Sequence, residues 1–411
     1  MGEGDVEGGW AESRTLDIRL FHSVRRSSKA GTPAGESARQ DRWRVLKLRA
    51  SMFLPILAWM MLAPASLGQA AQQTSSPDAI PVSTTAIPLN ASNPAQQRIG
   101  KLRYMGGLHL TSSNRRLGGL SGLRWNDKYL YAVSDEGDFF ELELREREDR
   151  LIGLGEVLMG RLKGVDGKPL DEAAADAEAL EILRDGTACE LFNGCGPAGA
   201  LIALEKSNRL LDYLFGGGLP TFSAEERSDA EGWRRGLPPG GGIEAMAAST
   251  DALMLLSAGQ SDGKGRASGV LVYDRLDPSG ASADGMIAGY VVKEERRFGL
   301  PLSDGFRPSD ADFARGKNGV EALVLQRRRG SGSGPAARLV RFSVSAGDIA
   351  KPDVRIGEPE ILATLAAPLN IDSMEGLAVR QDGKRTFVYM ISDDDFADAR
   401  RTVLLKFELL D

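Results

Sequence analysis

The run SGLRWNDKYLYAVSD, Ser121 to Asp135, decides the fold, because both of its halves recur along the chain. Its second half, LYAVSD at 130–135, aligns without gaps with LIALEK at 201–206 and LMLLSA at 253–258. ALVLQR at 322–327 and VYMISD at 388–393 complete the set. Four apolar residues closed by a turn former suit a short strand covered on both faces. The fifth position is polar in every copy: Ser134, Glu205, Ser257, Gln326 and Ser392. Upstream of each copy stands a partner run: SGLRW, DAEALEI, GIEAMAA, SDADFA and SMEGLAV. Aligned on Ser121, Glu178, Glu244, Asp312 and Glu375, these runs are spaced by 57, 66, 68 and 63 residues.

Further strands are expected outside this pair, at Phe139–Leu144, Gly269–Tyr273, Gly289–Val292, Arg338–Val344 and Thr402–Leu409. Helical periodicity is scarce, and its best candidate, Leu170 to Leu183, has acidic residues on every side. A repeat of about 60 residues that supplies a small antiparallel sheet is the signature of a β-propeller. The expected fold is therefore all-β, a propeller of five or six four-stranded blades. A sixth blade would have to lie between Leu210 and Gly242. Thr402–Leu409 is expected to share a blade with Arg98–Leu110 and so close the ring. The 49 glycines in 411 residues suit many tight turns with positive φ.

Composition removes several function classes. His22 and His109 are the only histidines, so no imidazole metal cluster can be built. Two cysteines exclude a zinc finger and a disulfide-dense scaffold. Residues 1–50 read as a mis-assigned or disordered extension. Residues 51–70 follow as a signal peptide, with Arg42, Arg44, Lys47 and Arg49 before an apolar core and Gly68-Gln69-Ala70 at its end. The alternative is an uncleaved anchor, but Pro55 and Pro64 interrupt a core too short for a span. Residues 71–97, polar with repeated proline, read as a linker, and 98–411 as the propeller. Beyond residue 70 there are 41 Lys and Arg against 50 Asp and Glu, which argues against nucleic-acid binding. A periplasmic or secreted monomer with no membrane span after cleavage is the expectation. In that compartment Cys189 and Cys195 are expected to form a disulfide, or to stay free thiols if export does not occur.

The first strand of each propeller blade lines the central channel, so its repeated position converges on one point. Here that position is acidic four times: Glu178, Glu244, Asp312 and Glu375, with Ser121 in the fifth repeat. Asp176 shares a face with Glu178 at period two, as Asp310 does with Asp312. Carboxylates meeting in one channel repel unless protonated or bound to a cation. All-oxygen donors without imidazole select calcium or magnesium, and calcium suits six to eight oxygens. Asp135 and Asp393, at the ends of second strands, join the candidate metal ligands. Solvated acids at strand entries are the plainer explanation. Glu178, Glu244 and Glu375 are also the candidate catalytic groups, one of them deprotonating a cation-activated water. Lys206, Arg209 and Arg327 are candidate substrate clamps, or else partners of ordinary ion pairs. A serine esterase would need Ser121 or Ser134 near His109. However, GLSGL is not the GxSxG elbow, since position 123 is Leu123, and His109 lies in an alternating strand run.

The run GGLHLTSSNRRLGGLSGLRWNDKYLYAVSDEGDFFELEL (Gly106–Leu144) resembles the opening motif of the phytase-like, or "esterase-like activity of phytase", family. DAEALEIL, GIEAMAA, FRPSDADF and NIDSMEGLAV with FVYMISDDDF, in that order, resemble its later blocks. The resemblance covers Arg98 to Leu410. It implies an exported bacterial β-propeller acting on small-molecule phosphate or carboxylic esters. The alternative is a non-catalytic propeller that binds a ligand or protein around a structural calcium.

Overall fold

Short apolar runs cut by glycine and aspartate turns fold into 24 strands and one five-residue helix among the described residues of the computed structural model. Described are residues 77–411 except 172–174, 185–196, 217–218, 221–223, 238–240, 250–251, 262–264, 278–289, 317–318, 330–333, 345–353, 355 and 411. The chain enters through β1 (Asp78–Ala79), β2 (Val82–Ala86), β3 (Arg98–Ile99) and β4 (Leu102–Ser112). The first blade is β5 (Leu120–Asn126), β6 (Tyr129–Ser134), β7 (Asp138–Arg147) and β8 (Arg150–Arg161), with β1 on its outer edge. The second is β9 (Ala177–Arg184), β10 (Pro197–Leu204), β11 (Arg209–Gly216) and β12 (Leu219–Pro220). β13 (Glu225–Arg227) also pairs with β11, and helix α1 (Glu231–Arg235) follows it.

The third blade is β14 (Ile243–Ala248), β15 (Ala252–Ser261), β16 (Arg266–Asp277) and β17 (Tyr290–Pro301). β18 (Arg307–Gly316), β19 (Gly319–Arg328), β20 (Ala336–Val344) and β21 (Glu360–Leu365) make the fourth. β22 (Ser373–Asp382), β23 (Arg385–Asp393) and β24 (Thr402–Leu409) begin the fifth, and β4 and β2 complete it. Inner strands β5, β9, β14, β18 and β22 each lie against the next, and β22 returns to β5. The fold is a five-bladed β-propeller.

Both faces of a blade are covered, which explains the continuously apolar runs. Leu130 and Ala132 pack with Phe387, Tyr389 and Leu404 of the fifth blade. Tyr131 and Val133 point the other way, onto Leu180, Ile202 and Tyr213 of the second. The polar fifth positions fasten nearby backbone. Ser134 accepts the Asp138 N–H at 3.2 Å, and Ser257 donates to the Gly241 carbonyl at 2.8 Å. Ser392 donates to Arg401 at 2.6 Å and accepts from the Val403 N–H at 2.8 Å.

The ring closes as expected, with β24 antiparallel to β4 and Leu404 opposite Leu108. His109 stands in that pair opposite Val403, in a different sheet from Ser121. No sixth blade occupies 210–242, because β11, β12 and β13 pair within the second blade. The linker reading of 71–97 gives way at Asp78. There β1 pairs with β8, and the β-branched run of β2 covers the edge of β4. Residues 177–183 of the helical candidate belong to strand β9. The signal-peptide segment and both cysteines lie outside the described residues. No helix among the described residues is long and apolar enough to cross a membrane.

Candidate functional site

Each inner strand carries a bulge near its start, where the ladder skips one or two residues. The skipped positions are Ser121–Gly122, Glu178, Glu244, Ser309 and Glu375. A bulge re-aims its extra side chain and is found next to active sites. These are the equivalent positions of the five blades, which corrects one member of the sequence alignment. Ser309, not Asp312, stands with Glu178, Glu244 and Glu375, and its spacing from Glu244 is 65 residues rather than 68.

Asp312 lies three residues further along β18, in a separate layer that plugs the channel. Its carboxylate accepts the N–H groups of Val379 and Phe313, each at 2.7 Å. Asp310 accepts from Leu123 at 3.0 Å and from Leu377 and Ala311 at 2.8 Å. Glu181 accepts from Ala248 at 2.9 Å. Inner-strand edges have no further strand to pair with, and these carboxylates satisfy them.

Arg124 ties this layer together. It is 2% exposed and donates to Glu181 at 3.1 Å, to both Asp310 oxygens at 3.2 Å and to Ala311 at 2.6 Å. It also reaches the carbonyls of Leu377 at 3.0 Å, Met246 and Leu123. One guanidinium thus bonds to all five inner strands. Burial works against its charge, but Asp310 and Glu181 more than offset this and hold it protonated. Burial pushes both Asp310 and Asp312 up to about 7, opposed by Arg124 and the N–H donors.

The mouth layer is different in kind. Asp135, Asp176 and Glu178 bring carboxylate oxygens within 4.8 Å of one another, and so do Asp135, Asp393 and Asp395. Ser121 Oγ donates to Asp135 at 3.0 Å. Burial, with the charges of Glu375, Asp176 and Asp395, pushes Asp135 up to about 7. Glu178 is 7% exposed, and among the described residues it has no hydrogen-bond donor or ion-pair partner, Arg327 acting on it only through its charge. Burial first, then Asp135, Glu244 and Glu375, raise its carboxyl well above the usual range.

Two carboxyl pairs share protons beside it. Burial and Glu205 push Glu244 up to about 8. Asp393 is pushed up to about 9 by burial and then by its hydrogen bond with Asp395, whose own value falls. Asp393 is therefore the protonated member, being 2% exposed, while Asp395 is exposed and paired with Arg400. Glu375 accepts from Ser373 Oγ at 2.9 Å and from Arg327 at 2.7 Å, and burial still raises it.

Each proposed clamp is already occupied. Arg327 bridges Glu375 and Glu244, the latter at 3.6 Å; Lys206 pairs with Asp176 at 3.3 Å and Arg209 with Glu226 at 3.1 Å. Of the six metal-ligand candidates, Asp135, Glu178 and Asp393 fall in the close triads, Glu244 and Glu375 flank them, and Asp312 belongs to the plug. Asp176, visible in the sequence only through its shared face with Glu178, and Asp395, two residues beyond a repeat, complete the triads.

A family model described as Phytase-like, "Esterase-like activity of phytase", matches residues 115–396. No curated protein matches the chain. Among solved structures, the PQQ-bound aldose sugar dehydrogenase of Streptomyces coelicolor is 12% identical, covering 81% of this chain and 99% of that one, at a TM-score of 0.31. The β-propeller domain of Myceliophteria thermophila Cps50 (Swd1) is 10% identical, with the same coverage, at 0.30. A putative 6-phosphogluconolactonase of Bacteroides uniformis is 14% identical, covering 77% and 79%, at 0.28.

Proposed function

Because this chain belongs to the phytase-like family, we propose that it is an exported ester hydrolase whose channel mouth holds calcium on Asp135, Asp176 and Glu178. The observation that carries this reading is Glu178, a buried acid within 4.8 Å of two more carboxylates and without a direct partner among the described residues. Burial and the neighbouring acids hold the Glu178 carboxyl protonated when no cation is bound, and a divalent cation would favour its ionised form. The one cation that acts on it, Arg327, is already shared by Glu375 and Glu244. The donors are all oxygen, with neither imidazole nor thiolate among them, which fits a hard ion such as calcium.

When bound, such an ion supplies Lewis-acid polarisation of an ester oxygen and of an attacking water. The chain's own groups handle the protons. Asp393 carries one at neutral pH and gives it to the departing oxygen, while ionised Asp395 takes one from water. Opposite shifts in one carboxyl pair are the usual mark of an acid and a base. Glu244 and Glu375, bridged by Arg327, stand beside them.

The occupied clamps favour a second reading, a binding propeller with calcium as a structural element. Turnover separates the two. Calcium-dependent hydrolysis of p-nitrophenyl acetate or p-nitrophenyl phosphate, abolished by EGTA, supports the hydrolase. No turnover of either by the calcium-loaded protein leaves only the binding reading. Export through the segment ending near Ala70 is part of the proposal, and N-terminal sequencing of secreted material tests it.

A further inference from the structure

The glycine pair Gly118-Gly119 and the turn Asp394-Asp395-Phe396 meet at the rim of the mouth. The Phe396 ring lies on the glycine pair, and a Cβ added at Gly119 or Gly118 would meet it at 2.5 or 2.8 Å. Asp394 locks the arrangement by accepting the N–H groups of Gly119 at 3.0 Å and Phe396 at 3.1 Å. Asp395 and Phe396 are both held at positive φ, 46° and 51°, a conformation that costs non-glycine residues on the order of 1–3 kcal/mol. The Gly119 carbonyl in turn accepts the Asp135 N–H at 3.1 Å, so the seat of the ring and a mouth carboxylate share one residue. Phe396 nonetheless remains 38% exposed as a residue. The other exposed large apolar side chains among the described residues are Ile152, Val165, Leu214 and Ile361, none of them aromatic.

Charge points the same way. Carboxylates outnumber cations at the mouth, and Lys206, Arg327 and Arg400 are each paired with one. Arg329, exposed just past the end of β19, offsets the charges of Glu375 and Asp395. A phosphate dianion would have to displace a carboxylate from Lys206, Arg327 or Arg400, and would otherwise find only Arg329 and the proposed calcium to offset the mouth's acids. An uncharged ester with an apolar group meets neither obstacle and gains a ring to pack against.

We infer that Phe396 is the specificity-determining wall of the mouth and that the substrate class is an uncharged carboxylic ester with an aryl or alkyl group, rather than a phosphate monoester. This rests on the hydrolase reading for the reaction, but the recognition step can be measured without turnover. The full chain in calcium would be titrated calorimetrically with N-phenylbutyramide, a neutral and uncleaved probe, and with phenylphosphonate, a dianion. The amide should bind, and phenylphosphonate should bind at least about tenfold more weakly. Phe396→Ala should weaken the amide about tenfold, the scale of one lost aromatic contact surface, while Phe396→Leu keeps most of the affinity. Thermal melts of both variants establish that they are folded. Tighter binding of phenylphosphonate, no binding of the amide, or equal amide affinity in wild type and Phe396→Ala would each overturn the inference. If the amide binds as expected but wild type does not cleave phenyl butyrate, the hydrolase reading fails and the recognition surface stands.

Discussion

Replacing Arg124 with alanine removes the one group that bonds to all five inner strands. Glu181 and Asp310 then lose their guanidinium at 3.1 and 3.2 Å, inside a layer where Asp310 is fully buried. Breaking one side of a buried ion pair costs about 3–5 kcal/mol, because the remaining charge is stranded. The carbonyls of Leu123, Met246, Ala311 and Leu377 also lose a donor, at about 1–3 kcal/mol each where water cannot replace it. Arg124→Ala should therefore lose at least about 3 kcal/mol. Urea unfolding followed by tryptophan fluorescence and circular dichroism reads this directly. The triple variant Arg124→Met, Asp310→Asn, Glu181→Gln should recover much of the loss, since it strands no charge while its amide oxygens still accept the strand-edge N–H groups. A loss below about 1 kcal/mol for Arg124→Ala would refute the hub, as would a triple variant weaker than the single one.

Asp312→Asn should leave any calcium-induced rise in melting temperature unchanged, because its carboxylate serves Val379 and Phe313, whereas Asp135→Asn should shrink the rise. Arg327→Met should lower the melting temperature of the calcium-free protein and enlarge the rise, since Glu375 and Glu244 lose their cation. In EGTA, stability should fall as pH rises from about 4 to 9. Acids with raised folded values bind more protons when folded, so their contribution is complete below the unfolded values. It is lost as pH passes about 7 for Asp135, 8 for Glu244 and 9 for Asp393, while lowered Asp395 works weakly the other way. Saturating calcium should flatten that slope in thermal melts; a flat slope without calcium would show that the mouth acids titrate normally.

Most of the fold was legible because blade strands are covered on both faces, and LYAVSD and VYMISD therefore read as unbroken apolar runs. Closure by Thr402–Leu409 followed from the same pattern. β1 and β2 were not legible, since an edge strand needs backbone partners and little apolar patterning, and prolines flank it. At the mouth, Glu178, Glu244 and Glu375 were visible as a recurring acid. The fourth blade misled because its bulge residue is Ser309, while Asp310 and Asp312 imitate the acidic position one and three residues later. The even spacing of 66, 65 and 66 residues through Ser309 is the signal that identifies it. Arg124 carried no such signal, because most of its partners are backbone carbonyls and acids of other blades, which only closure of the ring brings together.

The most direct test is calorimetric titration of calcium into EGTA-stripped, dialysed wild type and Glu178→Gln, with thermal melts of both. Wild type should bind calcium and gain about 2.7 kcal/mol of stability at a hundred times Kd, while Glu178→Gln, which keeps the side chain's size but loses its charge, should bind more weakly and gain less. Wild type that releases no binding heat and melts at the same temperature in calcium and in EGTA would contradict a cation site at the channel mouth.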